Sequence, residues 1–227
     1  MKESQLSRSR AIHRDTGTTF YYATRLLPAR VRDDVYVLYA FFRIADEVVD
    51  GDGPDDPAVQ RERLAEIRRG ALGEVEPDEP VVAAFDEVRE RTGIADREVD
   101  AFIEAMAADL DRDSYGTYAD LQEYMRGSAV AVAHMVTAVM DPADPDVARP
   151  HAAALGEALQ LTNFLRDVRE DRRERDRIYL RQETLADHGV TEADLRSFEP
   201  TEGFRRAMEH ELRRTESLYR EGVAGIQ

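Results

Sequence analysis

The sequence predicts an all-α fold on three grounds. Almost every segment places apolar residues at helical spacing, no run alternates with a period of two between turn signals, and glycine and proline cluster at the breaks. The first strong helix runs from Val31 to Val49, is apolar and aromatic nearly all round, and is stopped by the turn Asp50-Gly51-Asp52-Gly53-Pro54. Further helices are predicted over 57–71, 79–92, 96–112, 117–140, 147–175 and 201–222, with breaks at Gly70 to Pro80, Gly93 and Asp141 to Pro145. Helices 31–49 and 117–140 are apolar on almost every side, which makes them central elements, and such a bundle can hold an apolar cavity. With no fixed-period repeat and no low-complexity tract, one domain over 1–227 is expected.

Composition narrows the function classes. The 227 residues carry 47 acidic against 31 basic side chains, a formal charge of -16, which disfavours a non-specific nucleic-acid or anionic-membrane binder. Hydrophobic residues make up 42% of the chain, enough for a real core, while 34% are charged and imply a heavily ionised exterior. Lys2 is the single lysine and the other basic residues are arginine; with the acidic excess this predicts a halophile-like protein, whereas coding bias alone accounts only for the arginine. Cysteine is absent, which removes disulfides, thiolate metal sites and cysteine nucleophiles together. The opening MKESQLSRSR leads into no apolar signal region, and the apolar run Ser128 to Met140 is shorter than the about 20 residues a bilayer span needs. The inside of a cell is the expected compartment.

Five aspartate pairs stand four apart: Asp46/Asp50, Asp52/Asp56, Asp96/Asp100, Asp109/Asp113 and Asp167/Asp171. With 24 aspartates in the chain about two or three such pairs arise by chance, so context must choose among them. On a helix such a pair lies on one face about 6 Å apart along the axis and can share a cation; without one the repulsion is costly. Asp46/Asp50 closes an apolar aromatic helix at its negative end, and only Arg43, one turn earlier, offsets it.

Asp167/Asp171 is more specific. Gln160, Asn163, Asp167 and Asp171 recur at intervals of three and four and form one polar stripe, while Leu161, Phe164, Leu165 and Val168 face elsewhere. Carboxylate and amide oxygens suit magnesium (Mg²⁺), which is typically completed by phosphate oxygens. Arg43, Arg166 and Arg177 could take the remaining phosphate oxygens in bidentate fashion, so the set suits a diphosphate. The competing reading is a salt-bridged surface helix, since charges alternate from Arg166 to Arg177. The five histidines, at 13, 134, 151, 188 and 210, have no zinc spacing and read as scattered polar or core residues; Glu-x-x-His pairs and phosphate-cradling glycine loops are absent.

At these residues the sequence resembles the phytoene and squalene synthase family. The likeness rests on Thr18-Thr19-Phe20-Tyr21-Tyr22-Ala23 with Leu26-Leu27-Pro28 and on Asp46-Glu47-Val48-Val49-Asp50. It continues through Leu155-Gly156, Gln160, Asn163 and Arg166-Asp167 to Glu170-Asp171, and in Arg177-Ile178-Tyr179-Leu180. The resemblance implies an isoprenoid-synthase helical bundle around a central apolar cavity. It also implies two aspartate motifs facing each other across the cavity mouth, with Mg²⁺ as cofactor and Mn²⁺ as its alternative. Asp46, Asp50, Asn163, Asp167 and Asp171 are then metal ligands, and Arg43, Arg166 and Arg177 steady the leaving diphosphate. Thr19, Phe20, Tyr39, Phe42, Gln160 and Tyr179 would meet the substrate, with Val132 and Leu161 adding to the tunnel wall. Tyr124 aligns with a family tyrosine that assists proton handling; its other reading is a buried tyrosine with a satisfied hydroxyl.

The reaction implied is the head-to-head condensation of two geranylgeranyl diphosphates, through a cyclopropyl diphosphate, to phytoene. It needs no NADPH and no nucleic acid, and runs in the cytoplasm or peripherally at a membrane, since substrate and product are lipophilic. The alternatives are a squalene or dehydrosqualene synthase using farnesyl diphosphate and a non-catalytic binding or assembly relative. The oligomeric state is left open by the sequence. Three departures from the family pattern carry expectations. Val132-Ala133 stands where Val-Gly is usual and should narrow the tunnel, and Tyr179-Leu180-Arg181 stands for Tyr-Leu-Pro and should loosen the flap over the site. The chain ends at Gly225-Ile226-Gln227, where relatives continue through further C-terminal helices that close the cavity.

Overall fold

The apolar stretch from Ala29 to Asp50 forms one helix whose Val31, Val35, Val37, Leu38, Ala40, Phe41 and Ala45 are all buried. The computed structural model describes residues 1–51, 56–174, 176–197 and 200–226. The described residues are helical with no strand, in the order α1 (Glu3–Thr16), α2 (Thr18–Thr24), α3 (Ala29–Asp50), α4 (Pro57–Ala71), α5 (Pro80–Thr92), α6 (Asp96–Ala108), α7 (Tyr118–Met125), a π-helical segment (Arg126–Ala131), α8 (Val132–Met140), α9 (Pro145–Glu174), α10 (Gln182–Asp187), α11 (Glu192–Ser197) and α12 (Glu202–Val223). None of these helices is long and apolar enough to cross a membrane.

The chain divides into two compact units, Met1–Leu110 with His134–Pro145, and Asp111–Ala133 with Asp146–Gln227. In the first, α3 packs against α1, α4, α5 and α6. Its Phe41 stacks on Phe85 at 3.8 Å between ring centroids and meets Phe102 at 5.7 Å. The buried Asp34 carboxylate accepts two hydrogen bonds from Arg91 at 2.6 and 3.1 Å, which fixes α3 against α5. In the second unit Leu180, Leu185, Leu195 and Ala207 form a core that Leu165, Val168, Phe204 and Met208 flank.

Helix starts follow their caps. The Asp56 carboxylate accepts from the Ala58 amide ahead of Pro57, Thr117 and Asp120 form a reciprocal capping box on α7, and the Thr201 hydroxyl accepts from the Phe204 amide. The stretch predicted as one helix over 117–140 instead contains six π-helical residues, Arg126–Ala131, around Gly127 and Ser128, where wider turns are least costly. The helix predicted to reach 112 ends at Ala108, and that predicted over 147–175 runs from Pro145 to Glu174. Helices α1, α2, α10 and α11 were not anticipated; the last two are six residues each, too short for their apolar spacing to stand out. Asp52, Gly53 and Pro54 of the expected turn, and with Asp52 one member of the Asp52/Asp56 pair, lie outside the described residues, as does Gln227.

Ala133, in place of the usual glycine, fills space against α9. A Cβ built at Gly156 would stand 3.0 Å from the Ala133 methyl and 2.9 Å from the Ala129 carbonyl oxygen, so the two segments approach as closely as side chains permit. The Ala133 methyl thus lies over Gly156, a contact the sequence did not reveal. Gly156→Ala is expected to destabilise the protein by about 1–3 kcal/mol despite the better helix propensity of alanine, because the clash is with backbone. Urea denaturation measures this; a variant as stable as the parent would show that the helices can move apart freely.

Candidate active site

In the first unit the acidic motif sits where α3 ends. Asp46 lies in its last turns, half-buried, and Asp50 is its exposed final residue, so both carboxylates add to the negative end of the helix dipole. Arg43 is ion-paired to Asp46 through Nη1, while its Nε is buried with no hydrogen-bond partner. Phe42, one residue earlier, packs edge-on against Phe102 at 5.0 Å. Thr19 is exposed on α2, and Phe20 keeps 48% of its surface accessible.

Tyr39, one turn before Arg43, is held on several sides. Its ring stacks on His13 at 3.9 Å and 12°, Thr16 donates to its hydroxyl at 3.3 Å, and a Cβ at Gly17 would come within 2.4 Å of that hydroxyl. His13 is fully buried among Phe20, Tyr21, Tyr36 and Tyr39, and desolvation lowers its pKa from 6.5 to about 4, so it is neutral near pH 7. Arg10 is one of the charged groups beside this cluster; its Nε donates to the Tyr21 hydroxyl at 3.1 Å and its guanidinium stands 5.9 Å from the Tyr36 ring centroid.

In the second unit the residues of the α9 polar stripe differ in burial. Asn163 is exposed, Gln160 and Asp167 are half-buried, and Asp171 is buried at 8% exposure. Arg166 grips Asp167 with two parallel bonds, Nε to Oδ1 at 2.7 Å and Nη2 to Oδ2 at 2.6 Å. After α9 the chain reverses through Asp176, which adopts φ 54°, and the Arg177 amide then donates to the Asp171 carbonyl at 3.1 Å. One residue on, the Ile178 amide donates to the Asp113 carbonyl at 2.7 Å, and this sets the direction of Tyr179.

Tyr179 lies flat on Phe164 at 4.1 Å and 5°, and its centroid is 5.9 Å from both Tyr124 and Tyr115. The sequence-predicted Tyr124 and Tyr179 are therefore neighbours, and Tyr124 is the penultimate residue before the π-helical segment. Tyr115 and Phe164 complete the cluster and were missed. Phe164 sits off the polar stripe as expected, and its ring chemistry became visible only once residue 179 was brought to it.

Arg181 does the opposite of what its replacement of proline suggested. It is 3% exposed and donates through Nε and Nη2 to the equally buried Glu211 of α12, with Glu183 taking Nη1 at 2.9 Å. Its guanidinium also stands 5.0 Å from the Tyr118 ring centroid, whose distance to Arg214 is 3.9 Å. The segment is tied down rather than loosened, because a buried arginine is retained only where its charge is paired.

Of the remaining aspartate pairs, Asp96 and Asp100 are each engaged by a different arginine, Arg89 at 2.8 Å and Arg68 at 2.7 Å, and act as structural ion pairs. Among the described residues no three His, Asp or Glu side chains lie close enough to hold a metal unaided. Two hard carboxylates at one helix end, or two with an adjacent amide as on α9, suit Mg²⁺ completed by phosphate oxygens, and the unpartnered Arg43 Nε offers a donor to such an oxygen. The residues present therefore fit a metal-bound diphosphate in chemistry.

The family model described as squalene/phytoene synthase matches residues 13–227. A phytoene synthase from Rhodobacter capsulatus is 34% identical over 99% of this chain and 66% of its own length. One from Thermus thermophilus is 36% identical over 92% of this chain and 70% of its own. Among solved structures, a dehydrosqualene synthase in complex with ligand superimposes with a TM-score of 0.86 at 28% identity, covering 97% of this chain and 76% of that one. A squalene synthase from Alicyclobacillus acidocaldarius gives 0.86 at 27%, covering 98% and 83%. The chain thus spans about two thirds of the length of the curated relatives it matches.

Two outcomes follow from the buried groups. Arg181→Leu or Glu211→Leu alone should cost about 3–5 kcal/mol, since each leaves a buried charge without its main partner, while the double change should recover most of that loss in a urea-denaturation cycle. As pH falls from 6.5 towards about 4, the unfolded chain binds a proton at His13 that the folded chain does not. Stability should therefore decline across that window by about 3 kcal/mol, and His13→Leu should remove that part of the slope in denaturation curves taken at stepped pH.

Proposed function

The chain belongs to the squalene/phytoene synthase family, and from that membership we propose that it is a phytoene synthase, joining two geranylgeranyl diphosphates head to head. The observation that carries this reading is identity of 34% and 36% to curated phytoene synthases across 99% and 92% of the chain. It is supported by two acidic pairs that each keep an arginine at hand.

In this reading Asp46 and Asp50, and Asn163, Asp167 and Asp171, are the residues that would hold Mg²⁺ with the diphosphates. When bound, the metal supplies Lewis-acid stabilisation of the charge that develops on the departing diphosphate. Arg43, Arg166 and Arg177 would donate to phosphate oxygens, and Gln160 and Thr19 would orient the head group. Loss of the first diphosphate leaves an allylic cation. The second prenyl double bond captures it and a proton is lost, giving a cyclopropyl diphosphate that still carries one diphosphate. Loss of that group, rearrangement and release of a second proton yield phytoene, with no net redox change and so no reductant.

The ring cluster of Tyr124, Phe164 and Tyr179 supports this reading, since aromatic faces favour positive charge and suit a site that must be dry, and in it the Tyr124 hydroxyl would relay a departing proton. Phe20, Tyr39 and Phe42 receive the prenyl chain. A peripheral position at a membrane suits a substrate and product of this lipophilicity, and the acidic, lysine-poor exterior suits a salt-rich cytoplasm.

The test is a product assay with geranylgeranyl and farnesyl diphosphates in Mg²⁺, without NADPH. Phytoene from the longer substrate is the expected result; a C30 hydrocarbon from the shorter one would instead place the chain with the squalene and dehydrosqualene synthases it superimposes on. Asp46→Asn and Asp167→Asn should each abolish turnover while leaving metal-free thermal stability unchanged or higher, because each relieves like-charge repulsion. A large loss of stability would assign these carboxylates a structural role.

A further inference from the structure

His13 is a buried side chain whose presence the proposed reaction leaves unexplained. Both its ring nitrogens are buried without a hydrogen-bond partner, and four aromatic rings enclose it, Phe20 and Tyr21 from α2 and Tyr36 and Tyr39 from α3. An imidazole desolvated in this way is less stable than an apolar side chain of similar volume, which would bury no unmet donor or acceptor. Stability is therefore not what the residue contributes.

What it does contribute is the placing of two rings. Tyr39 is wedged between the face of the imidazole at 3.9 Å and the α1–α2 junction, where Gly17 has no room for a Cβ. Phe20 leans on the same imidazole at 5.0 Å and stands 5.9 Å from Tyr39. Phe20 is exposed and Tyr39 half-buried, so both rings have surface to offer beyond the imidazole. A six-membered ring would push Tyr39 outward, and an aliphatic chain would offer no flat face to stack on.

We propose that His13 is a positioning residue that sets substrate specificity, its small flat ring fixing where Tyr39 and Phe20 stand to receive the prenyl chain. The proposal rests on the reading of those two rings as prenyl contacts. It acts through them, and His13 itself need not touch substrate.

The 227-residue protein, with His13→Leu and His13→Phe, is examined by thermal melting without substrate and by steady-state kinetics with farnesyl and geranylgeranyl diphosphates. His13→Leu should melt at or above the wild-type temperature, while His13→Phe, whose larger ring displaces Tyr39, is read by its kinetics. His13→Leu should raise KM for both substrates by roughly three- to tenfold with a smaller change in kcat, as expected for the loss of one aromatic stack. His13→Phe should restore KM for the shorter substrate but not the longer, moving the ratio of their kcat/KM values by about fivefold. A melting temperature of His13→Leu below wild type overturns the proposal, whatever the kinetics, and so do unchanged kinetic constants in an active wild-type background. Wild-type protein that turns over neither diphosphate overturns the functional reading itself, and this inference with it.

Discussion

Carboxylates held four residues apart on a helix repel one another, and a helix that ends in two of them is working against its own dipole. Asp46 and Asp50 are kept there because α3 has no freedom to relax. Its buried face is locked by the Phe41 and Phe85 stack and by the Asp34 and Arg91 fork, so the charges are carried by a rigid element rather than by a loop that could splay. Asp171 is a stronger case, being buried at the inner end of the α9 stripe, where desolvation adds to repulsion. Arg43 pairs with Asp46 and Arg166 with Asp167.

Each unit also carries a cluster of aromatic rings. In one unit His13, Tyr36, Tyr39 and Phe20 form a cluster, and in the other Tyr115, Tyr124, Phe164 and Tyr179. Rings contribute buried area at a low entropic cost and leave faces that tolerate positive charge, which suits chemistry in which water must be kept out. The second cluster depends on the chain reversal at Asp176 and on Arg181, whose pairing with Glu211 fastens the residues just after Tyr179 to α12. A polar group in an apolar setting therefore fixes the aromatic one.

Much of this was legible in the order of residues. The period of the apolar positions placed α3, α4, α5 and α12 within a residue or two, because each is long enough for its buried face to repeat. The α9 stripe was readable for the same reason, since spacings of three and four need only one helix to line up. Short helices such as α10 were not, and neither was the π-helical stretch, whose Gly127 and Ser128 hint at a weak point without specifying its geometry. Arg181 was misread because its partner Glu211 lies 30 residues away.

The sequence by itself determined the all-α class, the two aspartate pairs with their arginines, and the family, since each is written in local spacing that a single helix realises. Only the tertiary structure decided which aspartates serve as plain ion pairs, which tyrosines meet, and that His13 is buried with nothing to bond. Those properties depend on what surrounds a side chain, and the surroundings come from residues distant in the chain, so no local pattern encodes them.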